Sequence, residues 1–206
     1  MKKKDLEYTS DIAFTPRVKE LQETFKSRTN YARMEKSGSW ADEVTTDLNF
    51  FLDTIDSFYL ATANTNGQPY IQHRGGSKGF LKVLDKNRLA FADFRGNKQF
   101  ITAGNLSENN QAFIFLMDYP NRTRIKLWGT AKVIYDDIEL INSLHDSNYK
   151  AKPERAIIFT ILAWDVNCPK HIKPRYTEDD IQKQIKPLHQ KIKDLEEQVK
   201  QFKKNI

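Results

Sequence analysis

The chain has 206 residues, a formal net charge of +6, one cysteine and 39% hydrophobic residues. A single cysteine excludes an internal disulfide framework and fits a reducing compartment. No apolar run approaches the ~18 residues needed to cross a bilayer, and 13 Phe, 8 Tyr and 3 Trp argue against intrinsic disorder. The basic start has no apolar segment behind it, so no secretory signal is predicted. We expect a soluble, cytoplasmic globular protein.

The first part of the chain is predicted to be helical. Thr15 followed by Pro16 is typical of a helix N-cap and first helical position, whereas the polar stretch 27–38 is interpreted as a loop. Ser39 and Asp42 have the spacing of a capping box, which predicts a second helix. Apolar residues follow at helical spacing, and we interpret them as core: Trp40, Val44, Leu48, Phe51, Leu52 and Ile55.

From residue 57 the pattern becomes that of short strands joined by tight turns. Seven strands are predicted, over 58–63, 70–74, 80–84, 88–94, 111–117, 124–135 and 156–163. Asn66-Gly67 is a hairpin signal, Gly129 is expected to form a bulge, and a short helix is predicted over 138–144. Many strands with few helical crossovers predict a mainly β fold, an antiparallel barrel or sandwich.

The C-terminal segment carries an apolar seam at alternating spacings of four and three. Its members are Ile181, Ile185, Leu188, Ile192, Leu195, Val199, Phe202 and Ile206. This heptad pattern predicts an amphipathic helix that meets a partner helix or packs on the body of its own dimer. Pro187 predicts a kink or a helix start. We divide the chain into a domain over 1–176, with its barrel core at about 53–168, and this helix over 177–206.

The end of the C-terminal helix carries a surplus of positive charge. From residue 183 onward there are seven Lys and three acidic residues, which gives +4 of the chain's +6. A solvated lysine face explains this surplus. Because no arginine cluster or interleaved aromatic residue accompanies the lysines, no nucleic-acid partner is predicted.

Two segments interrupt the strand pattern in ways that packing does not require. In 72–80, three glycines alternate with Arg74 and Lys78, so that the backbone can approach a ligand closely and cations can contact a phosphate. In 93–99, Asn97 and Lys98 precede a predicted short helix, whose N-terminus favours anions. Basic hairpin loops are the alternative explanation. Neither segment matches a Walker or dinucleotide-binding motif.

In order, these motifs resemble the pyridoxamine 5'-phosphate oxidase-related FMN-binding split-barrel family. The resemblance is carried by Gln72-His73-Arg74-Gly75-Gly76, Leu89-Ala90-Phe91-Ala92-Asp93, Gly96-Asn97-Lys98 and Arg124-Ile125. The flanks 12–16 and 163–169 are similar to its flavin-nucleotide-binding subgroup. The resemblance implies an antiparallel split β-barrel of six to seven strands. It also implies a homodimer with one FMN in each of two clefts between subunits.

The resemblance assigns roles to individual residues. Arg74 and Lys98 would hold the FMN phosphate. The turn Asn97-Lys98-Gln99 has one cation fewer than the family often has there, which implies either a lower phosphate affinity or compensation by Lys78. Arg124 would reach the FMN of the other subunit. The remaining predicted cofactor contacts are Gln72, His73, Gly75, Gly76, Ala92, Asp93, Asn97 and Gln99.

Two of these residues also have ordinary structural explanations. His73 is the candidate for a proton relay, although it could equally be a hydrogen-bonded strand residue. Asp93 could simply cap the following turn.

The predicted function is an FMN-dependent oxidoreductase that transfers a hydride between a small substrate or NAD(P)H and an acceptor. The alternative is a flavin- or haem-binding or sensing protein without turnover on the same scaffold. No catalytic residue is assigned firmly. No hydrolytic triad is expected. No metal site is expected either, because Cys168 and His171 lack further partners at ligand spacing.

Overall fold

The computed structural model describes residues 6–167 and 169–204. The chain forms two compact units. One contains residues up to 117 together with 124–168, and the other contains 118–123 together with the residues from 169 onward.

Three helices precede the sheet: α1 (Pro16–Thr24), α2 (Arg28–Lys36) and α3 (Thr46–Thr54). The Thr15 prediction is confirmed, because its hydroxyl accepts a hydrogen bond from the Val18 amide at 3.3 Å. The loop predicted over 27–38 is wrong, since α2 occupies most of it. This helix is fixed by polar contacts rather than by an apolar face: buried Glu35 pairs with Arg28 and lies 3.7 Å from the Lys19 ammonium.

The capping box predicted at Ser39 is also wrong. Ser39 has a positive φ of 60°, and its hydroxyl accepts from the Ser10 amide at 3.2 Å. Helix α3 instead begins after Thr45, whose hydroxyl accepts from the Leu48 amide at 3.2 Å. Trp40 lies before the helix and stacks on Trp128, with ring centroids 4.6 Å apart.

Seven strands form one antiparallel sheet in the order β2-β1-β5-β6-β7-β4-β3. The strands are β1 (Ser57–Ala63), β2 (Pro69–Gly75), β3 (Lys82–Val83), β4 (Arg88–Phe94), β5 (Gln111–Asp118), β6 (Thr123–Ile134) and β7 (Pro153–Asn167). Helix α4 (Ile101–Glu108) connects β4 to β5, and α5 (Ile138–Ser143) connects β6 to β7. The sheet does not close within the described residues. The fold is therefore mainly β, a split β-barrel with peripheral helices, as expected.

The core lies inside the curved sheet, beneath α3. Leu48 and Leu52 of α3 pack against Phe58, Leu60 and other fully buried strand residues. Strand β4 is buried on both faces, because Ala90 and Ala92 contact a second, smaller cluster that includes Ile141 of α5. A strand covered on both faces is held rigidly, and the residues at its end are positioned accordingly.

The strand predictions are largely confirmed. The register of β6 against β7 shifts between Trp128 and Gly129, which is the expected bulge. A Cβ at Gly129 would lie 2.1 Å from the Thr160 carbonyl oxygen, so the two strands approach too closely there for a side chain. The strand predicted over 80–84 shrinks to Lys82–Val83, because Phe80 and Leu81 pack into the core before the chain pairs with β4.

Helix α6 (Glu178–Lys204) follows the sheet and is 27 residues long. It runs through Pro187 and therefore does not begin there. In the parts of the chain that the structure describes, no helix has both the length and the apolar composition needed to cross a membrane.

Candidate functional site

A buried carboxylate binds two arginines where β2, β4 and β7 meet the start of α4. The Arg74 guanidinium donates through Nη1 to Asp93 Oδ1. Arg155 donates through Nε and Nη2 to Asp93 Oδ2, at 2.8 and 2.7 Å. The Asp93 side chain is 7% exposed and each arginine side chain 13%. We call these three residues the Asp93 cluster.

The sheet register places the Asp93 cluster. Asp93 and Arg155 are directly paired across β4 and β7, so their side chains leave the sheet on the same face. Arg74 lies near the end of β2, opposite Phe58 of β1, and its guanidinium also covers the Phe91 ring at 5.8 Å. The Arg74 Nε is buried and has no hydrogen-bond partner among the described residues. One donor of the cluster therefore lacks an acceptor within the described part of the chain.

The Asp93 cluster borders a cavity of about 60 Å³. Its walls are Tyr70, Gln72, Arg74, Asp93, Phe94, Gly96–Ala103, Glu154 and Arg155. Such a volume admits a compact anion but no ring system, since one water molecule already takes a share of about 30 Å³.

The first turn of α4 faces this cavity through Ile101, Thr102 and Ala103. Phe100 stands at the N-cap position with a left-handed φ of 55°, and no side chain in the described part of the chain caps the helix. The first-turn N–H groups are therefore free of side-chain partners, and a helix N-terminus in this state attracts anions.

The electrostatics of the cavity favour an anion. Arg74, Lys98 and Arg155 contribute three positive charges against the carboxylates of Asp93 and Glu154. Glu154 already accepts a hydrogen bond from Arg95 at 2.6 Å, which holds the pKa of its carboxyl below the usual value. Because Arg95 neutralises Glu154, the cavity retains an excess of about two positive charges.

Six of the residues predicted from the sequence line this cavity: Gln72, Arg74, Asp93, Asn97, Lys98 and Gln99. Gln72 accepts a hydrogen bond from the Thr102 hydroxyl at 2.8 Å, which ties β2 to the start of α4. Asn97 accepts from the Gln99 amide at 3.2 Å and so shapes the loop before the helix. The two predicted segments, separate in sequence, therefore meet in one place.

The other predicted residues lie elsewhere. His73 is exposed on the opposite face of β2, where its ring meets Tyr59 edge-on at 5.6 Å. Ala92 is buried against α5. Gly76 packs against Phe80, and a Cβ there would lie 2.6 Å from the ring. None of the three lines the cavity.

Three further predicted residues do not line the cavity either: Gly75, Lys78 and Arg124. Arg124 lies opposite Asn167 on β6, and its Nε is buried without a hydrogen-bond partner in the described residues.

Sequence reasoning missed Arg155 and Glu154. Both stand directly before the apolar run of β7, where the sequence shows only two charged residues ahead of a strand. The signal that identifies Arg155 is its cross-strand pairing with Asp93, which requires knowing that β4 and β7 are neighbours.

A second, larger cavity of about 710 Å³ lies between the N-terminal segment and the outer face of the sheet. Phe14, Phe113 and Trp128 supply aromatic walls, and Asp11 and Lys19 form an ion pair at its edge, with 2.7 Å between Nζ and Oδ1. The hydrogen bond to Asp11 raises the pKa of Lys19. Sequence reasoning did not find this cavity, because α1 and the preceding turn were not placed on the sheet.

No three His, Cys, Asp or Glu side chains converge to form a metal site within 6–167 and 169–204.

The fold and the cavity together define a split-barrel protein with a small basic cavity at the edge of its sheet. The sequence model of the pyridoxamine 5'-phosphate oxidase family matches residues 44–168, which is more than half of the chain. This protein therefore belongs to the pyridoxamine 5'-phosphate oxidase family. Among curated protein sequences, none shows detectable similarity to it.

Solved structures of similar proteins share the fold. HupZ from Group A Streptococcus is 14% identical, with a TM-score of 0.50 over 65% of this chain and 99% of that one. A Clostridium acetobutylicum protein related to general stress protein 26 is 17% identical, with a TM-score of 0.46 over 66% and 94%. An FMN-binding protein from Syntrophomonas wolfei is 14% identical, with a TM-score of 0.45 over 74% and 97%.

Proposed function

We propose that this protein binds FMN, with the FMN phosphate in the cavity beside the Asp93 cluster. The observation that carries the proposal is the excess positive charge around a cavity of phosphate size. The unpartnered Arg74 Nε and the uncapped first turn of α4 are donors that a phosphate monoester would satisfy. The residues present therefore fit the group that the family implies.

Each residue at the cavity has a distinct role in this proposal. Arg74 and Lys98 contact the phosphate oxygens, and Asp93 holds the Arg74 and Arg155 side chains in place. Lys98 forms no ion pair within 4 Å among the described side chains, although its charge acts on the Glu154 carboxylate across the cavity. The N–H groups of Ile101 and Thr102 complete the donor set.

The ring system of FMN must lie outside the cavity, because about 60 Å³ cannot contain it. We propose that a second copy of the chain covers it, which gives a homodimer with FMN between subunits. An apolar patch on the outer face of the sheet supports this arrangement. Ile71 is 65% exposed and Tyr59 38%, and His73 lies beside them. Exposed apolar patches of this kind mark interaction surfaces.

We propose that the protein with FMN bound acts as an oxidoreductase on a small substrate or NAD(P)H. FMN supplies the hydride acceptor and donor, so the chain's own residues bind and orient it rather than perform the transfer. His73 is exposed in the proposed subunit interface, where it remains the candidate for a proton relay. The single cysteine supports a cytoplasmic location.

The experiment compares FMN with riboflavin, which has the same ring but no phosphate. Purified protein is expected to be yellow, to release FMN on denaturation, and to bind FMN much more tightly than riboflavin. Lys98→Ala removes one charge-assisted contact of about 1.5–3 kcal/mol, so FMN affinity should fall about 10- to 150-fold. Riboflavin affinity should not change.

The matched control is Lys86→Ala, which removes an exposed lysine at the β3–β4 turn. It should leave both affinities unchanged. A colourless protein that takes up no added FMN, or equal FMN affinity in Lys98→Ala and the parent protein, would refute the proposed site. Turnover is tested separately: reduction of the bound flavin by NADH or NADPH supports an oxidoreductase, and its absence favours the binding-only alternative.

A further inference from the structure

Helix α6 presents an exposed apolar seam along its whole length. Leu188 is 59% exposed, Ile192 52%, Leu195 50% and Val199 51%. None of the described side chains of α6 is buried. A helix of 27 residues with such a stripe is expected to be covered along it, because most helix stability in proteins comes from the packing of an amphipathic face.

The residue types along the seam specify the kind of partner. With Ile185 at position a of a heptad, the following a positions in the helix are Ile192 and Val199, while Glu178 occupies the a position at the start of the helix. The d positions from Leu188 onward are Leu188, Leu195 and Phe202. β-Branched residues at a combined with Leu at d favour two parallel strands over trimers and tetramers. Pro187 falls at c, away from the seam, so its ring does not obstruct a facing helix.

The charges beside the seam specify the orientation. Lys191 stands at g and Glu196 at e of the next heptad. In a parallel pair, g of one helix faces this e position of the other, so Lys191 meets the partner's Glu196 twice by symmetry. In an antiparallel pair, g positions face g positions, which here hold only Gln184, Lys191 and Gln198. No opposite charge is available to Lys191 in that arrangement.

We propose that α6 forms a parallel two-stranded coiled coil with α6 of a second copy of this chain. The residue types at positions a and d favour a coiled coil of two helices. The pairing of Lys191 with Glu196 favours the parallel orientation and an identical partner. The proposal does not depend on FMN, because none of the residues that carry it lies at the cavity.

Engineered cysteines in the full-length chain test the orientation. In a Cys168→Ser background, Ile185→Cys and Val199→Cys each place a thiol at an a position, where it faces its own copy only in a parallel pair. The matched controls, Lys186→Cys and Lys200→Cys, shift the thiol by one residue to the exposed b position. Under mild oxidation, both a variants should form covalent dimers at least about tenfold faster than the b controls.

Charge reversal tests the pairing within the Val199→Cys background. Lys191→Glu should slow the crosslinking severalfold, because like charges then face each other across the helices. Adding Glu196→Lys should restore the rate. Lys193→Glu makes the same charge change at an exposed b position and should leave the rate unchanged.

The proposal is overturned if the a variants crosslink no faster than the b controls, or at one end of the helix only. Crosslinking indifferent to Lys191→Glu, or not rescued by Glu196→Lys, also overturns it. An antiparallel pair, or a helix packed on its own chain, gives no crosslinking at either a position. The flavin spectrum reports on the proposed function independently, so a colourless protein that still crosslinks would refute that function alone.

Discussion

The substitution Asp93→Asn tests what the negative charge of Asp93 contributes to stability, independently of the size of its side chain. Asparagine keeps the size of the side chain and removes its negative charge. The carboxylate is 7% exposed and binds Arg74 and Arg155 simultaneously, each 13% exposed. The substitution therefore leaves two nearly buried guanidinium groups without their common counter-charge, and we expect the folded state to be destabilised strongly.

The magnitude follows from the burial of all three groups. Removing one partner of a buried ion pair costs about 3–5 kcal/mol, because the remaining charge is left desolvated and unpaired. Two arginines share this carboxylate, so we expect the upper part of that range, about 4–5 kcal/mol. For a chain of this size each kcal/mol corresponds to about 2–4 °C in Tm. The Tm of Asp93→Asn should therefore fall by roughly 8–20 °C.

The assay is urea unfolding followed by tryptophan fluorescence, with and without inorganic phosphate. Asp85→Asn is the matched control, because it makes the same change in an exposed pair, 2.6 Å from Arg88, with side chains 37% and 47% exposed. That control should cost much less, because the pair is exposed to solvent. Phosphate should stabilise Asp93→Asn more than the parent protein, since the unpaired arginines bind the anion and binding favours the folded state. Equal unfolding midpoints for the two variants would refute this account of the cluster.

Two further predictions concern the sheet and the rim of the cavity. Gly129→Ala places a methyl group against the Thr160 carbonyl oxygen and should lower the free energy of unfolding by about 3 kcal/mol, as measured with urea. The control is Gly104→Ala in α4, where a new methyl group meets no atom within 4 Å, and it should raise that free energy by about 0.5–1 kcal/mol. Similar effects of the two substitutions would contradict the bulge geometry. Arg95→Ala should raise the pKa of Glu154 towards its ordinary value, as measured by carboxyl carbon NMR. The pKa of Glu154 is lower in the folded protein than in the unfolded chain. The stability that Arg95 contributes is therefore present above the ordinary pKa of Glu154 and is lost as the pH falls through its folded-state pKa. A stability difference between the parent protein and Arg95→Ala that grows on acidification would contradict this.

Most strands could be predicted because one face is more buried than the other, as in β1 and β5. Strand β4, which is buried on both faces, is found over the predicted residues because a short, largely apolar run between turns also favours a strand. Strand β7 extends beyond its predicted ends, from Pro153 to Asn167. Its ends carry charged residues that look like loop in the sequence but pair with neighbouring strands, as Asp165 does with Lys126 at 3.1 Å.

Helix α2 and the start of α3 could not be predicted, because contacts with distant residues determine where these helices form. The buried residue of α2 is Glu35, a residue type that hydropathy patterns assign to solvent. It is tolerated inside because Arg28 and Lys19 neutralise it. Likewise, Ser39 has the right neighbours for a helix cap, yet its hydroxyl is occupied by the Ser10 amide and by Thr9, about 30 residues earlier.

The residues at the cavity could likewise be predicted where local motifs identify them, but not where distant contacts do. Arg74, Asp93 and Lys98 could be predicted because glycines and a helix start accompany them, and these features are local. The sharing of Asp93 could not, because Arg155 is 62 residues away in the chain. That sharing changes the chemistry: Asp93 lies between two arginines rather than capping a turn, so it fixes their guanidinium groups while only partly neutralising them. The net charge of +6 is therefore a poor guide to ligand binding, since the segment from residue 183 onward, none of whose described residues lines the cavity, carries +4 of it. In the proposed site, the phosphate is attracted by the local excess of positive charge around Asp93, a buried carboxylate that pairs with two arginines.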